Sequence, residues 1–432
     1  MNSLIVALNG IKVGQLQLEP SGALTFQYNA DWLNRPGARA ISLSLPLSSQ
    51  RYKGARVYNF FDNLLPDSDV IRGRMQARFR IPTSHPFDLL SRIGRDCVGA
   101  IQLYPSDSSV PPINTVKAEP LTEANVEAIL KNHQNSPLGM TEDDEFRMSL
   151  AGAQEKTALL WFNRQWHRPF GATPTSHILK LPIGFIGQSN IDLRESAENE
   201  WLCLEIAKAY GLPIAHSEIG HFGTEKALIV ERFDRRWSKD KTWLMRLPQE
   251  DFCQALGIAP ALKYESDGGP GIREGMQLLL GSQQANQDRA NFFRAQILFW
   301  LLAAIDGHAK NYSLFLEADS AYRMAPLYDV LSAYPLMAQG SIPAEKAKMA
   351  MSVKGRNRHY HWARIQPRHF ISTAQQTGFS TEKAKALMDE MAGETEAVIV
   401  HIHSMLPIDF PNHISQPILE GLREQAKKLI RL

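Results

Sequence analysis

The sequence predicts an α+β chain in which a β-rich first half is followed by a helical second half. Three observations carry this. Residues 4–28 alternate apolar and polar positions, the period of a half-buried strand. Between Met148 and Val230, short β-branched and aromatic runs surround a single helical stretch. From about residue 236 to Leu432 the apolar spacing becomes mostly that of helices.

Each element has its own signal. In residues 4–28, Asn9-Gly10 marks a two-residue hairpin and Pro20-Ser21-Gly22 a second turn, so the segment reads as a β-meander. Helical patterning runs over about 58–79, interrupted by Pro66, and again over Phe87–Ile93. Residues 97–104 read as a strand. The polar, proline-bearing loop from Pro105 to Pro112 then opens a boundary region between about 105 and 140. Beyond it, Thr157–Phe162, His177–Leu181 and Ala227–Val230 read as strands. The helix from about Glu195 to Tyr210 is stopped by Gly211-Leu212-Pro213. These signals divide the 432 residues into a β-rich N-terminal subdomain (1–138), a small lobe (139–235) and a helical lobe (236–432).

Composition excludes several classes. An apolar content of 44% with 21% charged residues suits compact folding rather than disorder. The net charge of +2 gives no global field for nucleic acid or membrane, so any such binding is local. Cys97, Cys203 and Cys253 form no Cys-x-x-Cys pair and read as small core residues in a reducing compartment. Met1 to Lys12 lacks the basic and long apolar segments of a signal peptide, and no apolar run approaches the ~20 residues of a membrane span. A cytoplasmic protein without membrane contact is expected.

The chemistry lies in Asp306-Gly307-His308-Ala309-Lys310-Asn311, after the apolar run Ile297 to Ile305, and in Tyr328-Asp329 beyond it. Phosphoryl transfer from ATP needs a carboxylate to take the acceptor's proton and oxygen ligands to hold Mg²⁺ on the phosphates. The kinase catalytic loop separates its base and its Asn as Asp306 and Asn311 are separated here. Asp306 would be the base, and Asn311 and Asp329 the metal ligands. His308 and Lys310 would face the transferred phosphoryl group. Asp-Gly is also a common turn, so the motif alone does not decide. There is no HRD before Asp306 and no DFG at Asp329, unlike eukaryotic-type protein kinases. The Asp-x-His-x-x-Asn pattern also resembles that of aminoglycoside and choline phosphotransferases, so a small-molecule acceptor stays open.

Other segments agree in order. Lys180 ends an apolar strand, where burial without a partner is unfavourable. It reads either as a lysine for ATP phosphates or as a strand-end lysine reaching water. Glu200, on the apolar face of the following helix, is its natural partner, with Glu198 and Glu205 as competitors. Ser149 to Thr157 is a small-residue loop between apolar segments that could cover phosphates, or a plain hairpin turn. Leu228-Ile229-Val230 leads into Glu231-Arg232-Phe233-Asp234, the place of a hinge to adenine, from which Asp234 could reach the ribose. A β-rich lobe with one helix, then a helical lobe, is a two-lobed protein-kinase-like layout.

These segments together resemble the HipA family of bacterial toxin serine/threonine kinases. The likeness is carried by Phe60–Pro66, Ser149–Lys156, His177–Pro182, Val230–Arg236, Leu247–Gln254, Lys263–Gly271, Asp306–Asn311 and Tyr328-Asp329, nearly the whole chain. The resemblance implies that Lys180 contacts ATP. Ala151, Gly152, Ala153, Gln154, Glu155 and Lys156 would cover the phosphates, and Glu231, Arg232 and Phe233 would form the hinge. Asp306 is the implied catalytic residue, with Asn311 and Asp329 on Mg²⁺ and His308, Lys310 and Tyr328 at the nucleotide. Ser149 matches the serine that such kinases autophosphorylate, silencing themselves. The implied partners are a HipB-like helix-turn-helix antitoxin, operator DNA bound through that antitoxin, and a protein substrate, glutamyl-tRNA synthetase. A non-catalytic co-repressor built on a kinase scaffold is the alternative, against which Lys180, Asp306, Asn311 and Asp329 all speak.

Three segments are left over. Gln249-Glu250-Asp251 could line the cleft or form the acidic start of a helix, the second being the preferred reading. Lys263–Gly271 reads as a loop, a mobile segment that could face the substrate. From Lys346 to Arg368 there are seven Lys and Arg and no acid, with Tyr360 and Trp362 among them. That run is either a solvated surface or a DNA-backbone contact through Lys354, Arg356 and Arg358.

Overall fold

The computed structural model describes residues 3–133, 137–140, 147–187 and 190–431, the side chain of Arg431 excepted. Residues 134–136 of the expected boundary region therefore lie outside the described residues. The chain forms two compact units. The first comprises Met1–Leu181, Gly220–Ala261 and Leu314–Tyr322; the second comprises Pro182–Ile219, Leu262–Ser313 and Arg323–Leu432.

In the first unit the meander forms as its alternation requires. Ser3–Leu8, Ile11–Leu18 and Leu24–Tyr28 pair antiparallel, with Tyr52–Lys53 outside Leu24–Tyr28 and Ile101–Pro105 outside Ser3–Leu8. Asn9 (φ 45°) and Gly10 (φ 74°) make the first turn, both in the left-handed region that a tight hairpin demands. The helical stretch breaks at Pro66, which cannot continue a helix, into Ala55–Asp62 and Asp69–Arg78. Ser68 caps the second by accepting the Ile71 N–H. With Pro86–Ile93 these helices bury Phe60, Phe61, Met75, Leu89 and Leu90, and the connection after Asp62 adds Leu64, against Phe26 and Leu16 of the sheet. Each such side chain contributes ~1.5–3 kcal/mol by leaving water. Met148 and Leu150 enter the same core, so the residues flanking Ser149 are anchored by apolar burial.

A second sheet in this unit carries elements expected at the nucleotide. Glu225–Glu231, His177–Lys180, Lys156–Phe162, Gln165–Pro169 and Ala118–Pro120 lie side by side in that order. Leu159, Leu179 and Ile229 pack with Val126 and Leu130 of the helix Glu123–Lys131, whose N-terminus is closed by a Thr122–Asn125 capping box.

The second unit is built on helices. Ser196–Ala209 buries Leu202, Cys203, Leu204 and Ile206. Ala285–Leu301 is buried along its last three turns, where Phe293 stacks on Phe379 (5.0 Å) and Trp300 packs on Phe370 (5.5 Å). Pro367–Gln376, Thr381–Met405 and Asn412–Ala426 complete the frame.

The sequence beyond residue 236 is less helical than expected. Strands occur at Leu244–Arg246, Gln249–Asp251, Ser313–Leu316, Tyr322–Met324, Lys348–Lys354 and Arg358–His361. Most are three or four residues long, too short to display a period of two, and only their partners make them strands. Gln249–Asp251 is one of them and not a helix start, although Asp251 does cap the helix Phe252–Leu256. The strand expected over 97–104 is Ile101–Pro105. The three cysteines are free and buried. Among the described residues, no helix is long and apolar enough to cross a membrane.

Candidate active site

The segment expected to be catalytic, Asp306–Asn311, belongs to the second unit. The helix Ala285–Leu301 delivers the chain to Ala303, whose left-handed φ of 48° turns it. Gly307 then lies flat on Phe299: a Cβ there would sit 2.2 Å from Phe299 Cδ2, so only glycine fits. The His308 N–H donates to Asp306 O (2.8 Å) and the Asn311 N–H to His308 O (2.9 Å), closing a tight turn. The Ala350 N–H of the strand Lys348–Lys354 donates to Ile305 O (3.0 Å) and holds the segment from behind.

Asn311 ties the motif together. Its Nδ2 donates to Asp306 O (3.0 Å) and to Asp329 O (3.2 Å), which clamps two segments distant in sequence. With the amide nitrogen spent on carbonyls, Oδ1 remains as the acceptor of this side chain. Asp329 has a left-handed φ of 61°, unusual for an aspartate, and its N–H donates to Glu200 Oε1 (3.1 Å). Asn199, beside it on the same helix, exchanges two hydrogen bonds of 2.8 Å with the backbone of Ser332. Tyr328 donates to Lys310 O (2.8 Å). Asp306, Asn311 and Asp329 are thus brought together, with His308 and Lys310 buried beside them. An amide oxygen and a carboxylate are the hard donors that Mg²⁺ takes, with waters and phosphates filling its remaining positions. The residues fit that ion, whereas no cluster of three His, Cys, Asp or Glu suited to a metal occurs among the described residues.

The elements expected at the nucleotide belong to the first unit. Lys180 is buried at the end of its strand and pairs in register with Lys156 on the neighbouring strand. Directly opposed antiparallel residues share one face, so two ammonium groups share one face of this sheet. Lys156 Nζ also donates to Ala151 O (2.9 Å), folding the small-residue loop over itself. The loop is held from both sides. The Asp67 N–H donates to Gly152 O (3.1 Å), Gln154 Nε2 donates to Leu181 O (2.6 Å), and Glu155 pairs with Arg74. Ala153 is its exposed tip. Ser149 is wholly buried: its Oγ donates to Leu64 O (2.7 Å) and its N–H to Asp96 O (3.0 Å).

Two residues expected at the nucleotide are engaged elsewhere. The Arg232 N–H donates to Ser176 O (2.9 Å), which takes that donor from adenine, and its carbonyl accepts from the Arg235 N–H (3.1 Å). The Asp234 carboxylate accepts from Arg232 Nε (3.0 Å) and Nη2 (2.8 Å) and from the Gly99 N–H (2.7 Å), which takes it from the ribose. Both belong to a buried ionic cluster completed by Asp96, Arg235 and Arg246. Burial alone would push the Asp96 carboxyl up, but the guanidiniums of Arg235, Arg246 and Arg232 together hold it well below the usual carboxylate range. No spacing in the chain announces this cluster, because paired buried charges follow no period. Of the other expected hinge residues, Glu231 is exposed opposite His177, and Phe233 packs edge-on against Phe315.

Glu200 is buried as its helical face predicted, and one contact it makes is with Asp329; Lys180 belongs to the other unit. Glu205 bonds Lys208 on its own helix. The basic run is a hairpin, Lys348–Lys354 with Arg358–His361, in which Lys354 faces Arg358 in register. Arg356 and Arg358 are exposed, Lys354 is half-buried, and Arg358 lies 3.6 Å from Glu265. One residue the motifs did not point to touches the expected base. Tyr264 donates to Asp306 Oδ1 (2.5 Å) and sets its ring edge-on to His308, 5.0 Å between centroids.

Comparison with known proteins shows the family and the fold. Residues 148–399 match the model of the HipA-like C-terminal domain, and residues 4–104 match that of the HipA N-terminal domain. A Sinorhizobium fredii protein named "Putative kinase Y4mE" is 35% identical over 334 residues, 76% of this chain and 77% of that protein. The serine/threonine-protein kinase toxin HipA of Shewanella oneidensis is 28% identical over 344 residues, 76% of this chain and 75% of that protein. The fold matches the Shewanella oneidensis HipA chain solved with HipB and operator DNA, at a TM-score of 0.82 and 21% identity, over 99% of this chain and 98% of that one. The α+β, kinase-like architecture expected from the sequence is therefore present, and the chain belongs to the HipA-like family of kinases.

Proposed function

We propose that this kinase is an ATP- and Mg²⁺-dependent serine/threonine protein kinase and the toxin of a type II toxin–antitoxin pair. The observation that carries the reading is the Asn311 clamp, which joins the backbones of Asp306 and Asp329 and leaves its own amide oxygen for a cation. Asn311 and Asp329 would hold Mg²⁺, which supplies charge neutralisation at the phosphates. Lys180 and Lys156 would pair with those phosphates, under the loop Ala151–Lys156. Asp306 accepts the proton of the acceptor hydroxyl as its oxygen bonds to the γ-phosphorus and the bond to the β–γ bridging oxygen breaks, releasing ADP. His308 and Lys310 add positive charge beside the transferred group. In this reading 1–138 is the family-specific subdomain, 139–235 the nucleotide-binding part and 236–432 the catalytic part. The gap between the two matched family models, 104 to 148, supports the first of these limits.

Serine/threonine specificity and the toxin role are supported by the name of the Shewanella relative, and a HipB-like antitoxin with operator DNA by the complex in which that relative was solved. The basic hairpin carrying half-buried Lys354 and exposed Arg356 and Arg358 would touch the DNA backbone in such a complex. Glutamyl-tRNA synthetase is the proposed substrate on family resemblance, with action in the cytoplasm. Ser149 is the proposed autophosphorylation site. A phosphate adds about two negative charges, and a wholly buried hydroxyl bonded to Leu64 O has no room for one. Modification would thus demand that the loop leave its place, which silences the enzyme.

The test is Asp306→Asn and Asp329→Asn in the full chain, assayed with radiolabelled Mg-ATP. Both should stay folded, and loss of the base should lower transfer by on the order of 10²–10⁴. Near-normal transfer by both would remove these assignments.

A further inference from the structure

We propose that Tyr264 is a positioning residue for the catalytic carboxylate: it ties down Asp306 Oδ1 so that Oδ2 is presented to the acceptor hydroxyl. This rests on the reading of Asp306 as base and adds the group that orients it. A general base works best when a third group fixes its direction, as an acid does for histidine in a hydrolase. An exposed aspartate on a turn otherwise samples several rotamers, few of them productive.

The contact is built from several sides. Tyr264 Oη donates to Asp306 Oδ1 at 2.5 Å, within the range of a charge-assisted O–H···O⁻ bond. No second hydrogen bond to the Asp306 side chain occurs among the described residues, which leaves Oδ2 available. The ring meets His308 edge-on, centroids 5.0 Å apart and planes at 83°, so its direction is fixed as well as its distance. The backbones are joined next to both residues, the Ala309 N–H donating to Lys263 O at 3.2 Å.

The loop that presents Tyr264 is itself anchored. The Asp267 and Gly269 N–H groups both donate to Tyr264 O, at 3.1 and 3.0 Å. The neighbouring Glu265 is buried and accepts the Ser352 N–H (2.6 Å) and hydroxyl (2.9 Å) from the strand Lys348–Lys354. That strand also holds Ile305, immediately before the base, through the Ala350 N–H. The base and its orienting phenol therefore hang from one strand, and the segment Lys263–Gly271 acquires a role that its sequence did not disclose.

The experiment compares Tyr264→Phe with wild type in the full chain, reading the maximal initial rate of autophosphorylation and the KM for Mg-ATP. Phenylalanine keeps the ring and its contact with His308 and removes only the hydroxyl. The rate should fall about tenfold, the factor a net charge-assisted hydrogen bond supplies, with KM for Mg-ATP unchanged. In an Asp306→Asn background the same change should cost nothing further, because the phenol acts through the carboxylate. An equal loss in both backgrounds would show a merely structural role and overturn the proposal. A rate that is unchanged or raised would overturn it too, a rise meaning that the phenol blocks the base. If wild-type protein transfers no phosphate, the kinase reading falls with it. An active wild type with an indifferent Tyr264→Phe removes only Tyr264.

Discussion

Replacing Asp96 by Asn should destabilise the first unit more than any other single isosteric change. Its carboxylate accepts from Arg235 Nη2 (2.9 Å), Arg246 Nε (2.9 Å), Arg232 Nη1 (3.4 Å), the Thr175 N–H (3.0 Å) and the Thr175 hydroxyl (2.8 Å). The cluster holds the guanidiniums of Arg232, Arg235 and Arg246 against the carboxylates of Asp96 and Asp234, so it already carries one excess positive charge. Asparagine keeps the shape but doubles that excess in a place water does not reach. Removing one partner of a buried ion pair costs about 3–5 kcal/mol, a large part of the ~5–15 kcal/mol that stabilises a domain. Urea unfolding at pH 7, followed by tryptophan fluorescence, should show a loss of that size. Arg246 offers the control, since its Nη2 is buried without a hydrogen-bond partner among the described residues. Adding Arg246→Met to Asp96→Asn restores the original charge balance and should recover part of the loss. The Ser149 amide, held by the Asp96 carbonyl, should exchange its hydrogen faster in the single variant. A loss below about 1 kcal/mol, or no recovery in the double variant, would refute the charge-count reasoning.

Gly307→Ala should stay folded with a loss of ~1–3 kcal/mol, because its Cβ would meet the Phe299 ring at 2.2 Å. Phosphoryl transfer should fall well beyond what that loss explains, since Asp306 and His308 must shift; a fully active variant would show that the segment tolerates displacement. Glu250 is buried, takes the Leu43 N–H at 2.8 Å, and is pushed by burial up to about 8. Its folded value lies above the unfolded one, so the stability it permits is full below about 4.5 and is lost as pH rises toward 8. Glu250→Gln should flatten the fall in melting temperature between pH 5 and pH 8, and an unchanged slope would count against a buried neutral carboxyl. Replacing Lys354, Arg356 and Arg358 by Ala should weaken operator binding by the antitoxin complex similarly for every DNA sequence. The salt slope should drop by roughly 0.9 per contact removed, with autophosphorylation intact; lost kinase activity at an unchanged slope would assign the hairpin to the protein substrate instead.

What the sequence determined by itself was whatever local chemistry dictates. Asn9-Gly10 fixed the first hairpin because few residue pairs tolerate two left-handed positions, and Pro66 split a helix because it lacks the N–H to continue one. The run Ile297–Ile305 announced a buried helix, and the spacing of Asp306 and Asn311 singled out the segment proposed for phosphotransfer beyond it. The tertiary structure decided whatever depends on a partner distant in sequence. The short strands beyond residue 236 exist only through pairing. Arg232 and Asp234 read as hinge and ribose residues because order along the chain was all there was to read, yet Asp96 claims Arg232, and Gly99 and Arg235 claim Asp234, for a buried cluster. Tyr264 lies 42 residues from Asp306, and Glu265 is held by Ser352, 87 residues away. No spacing rule joins such positions. Their meeting is set by which backbones the folded core brings within hydrogen-bond reach, and that is a property of the packed chain rather than of any window of its sequence.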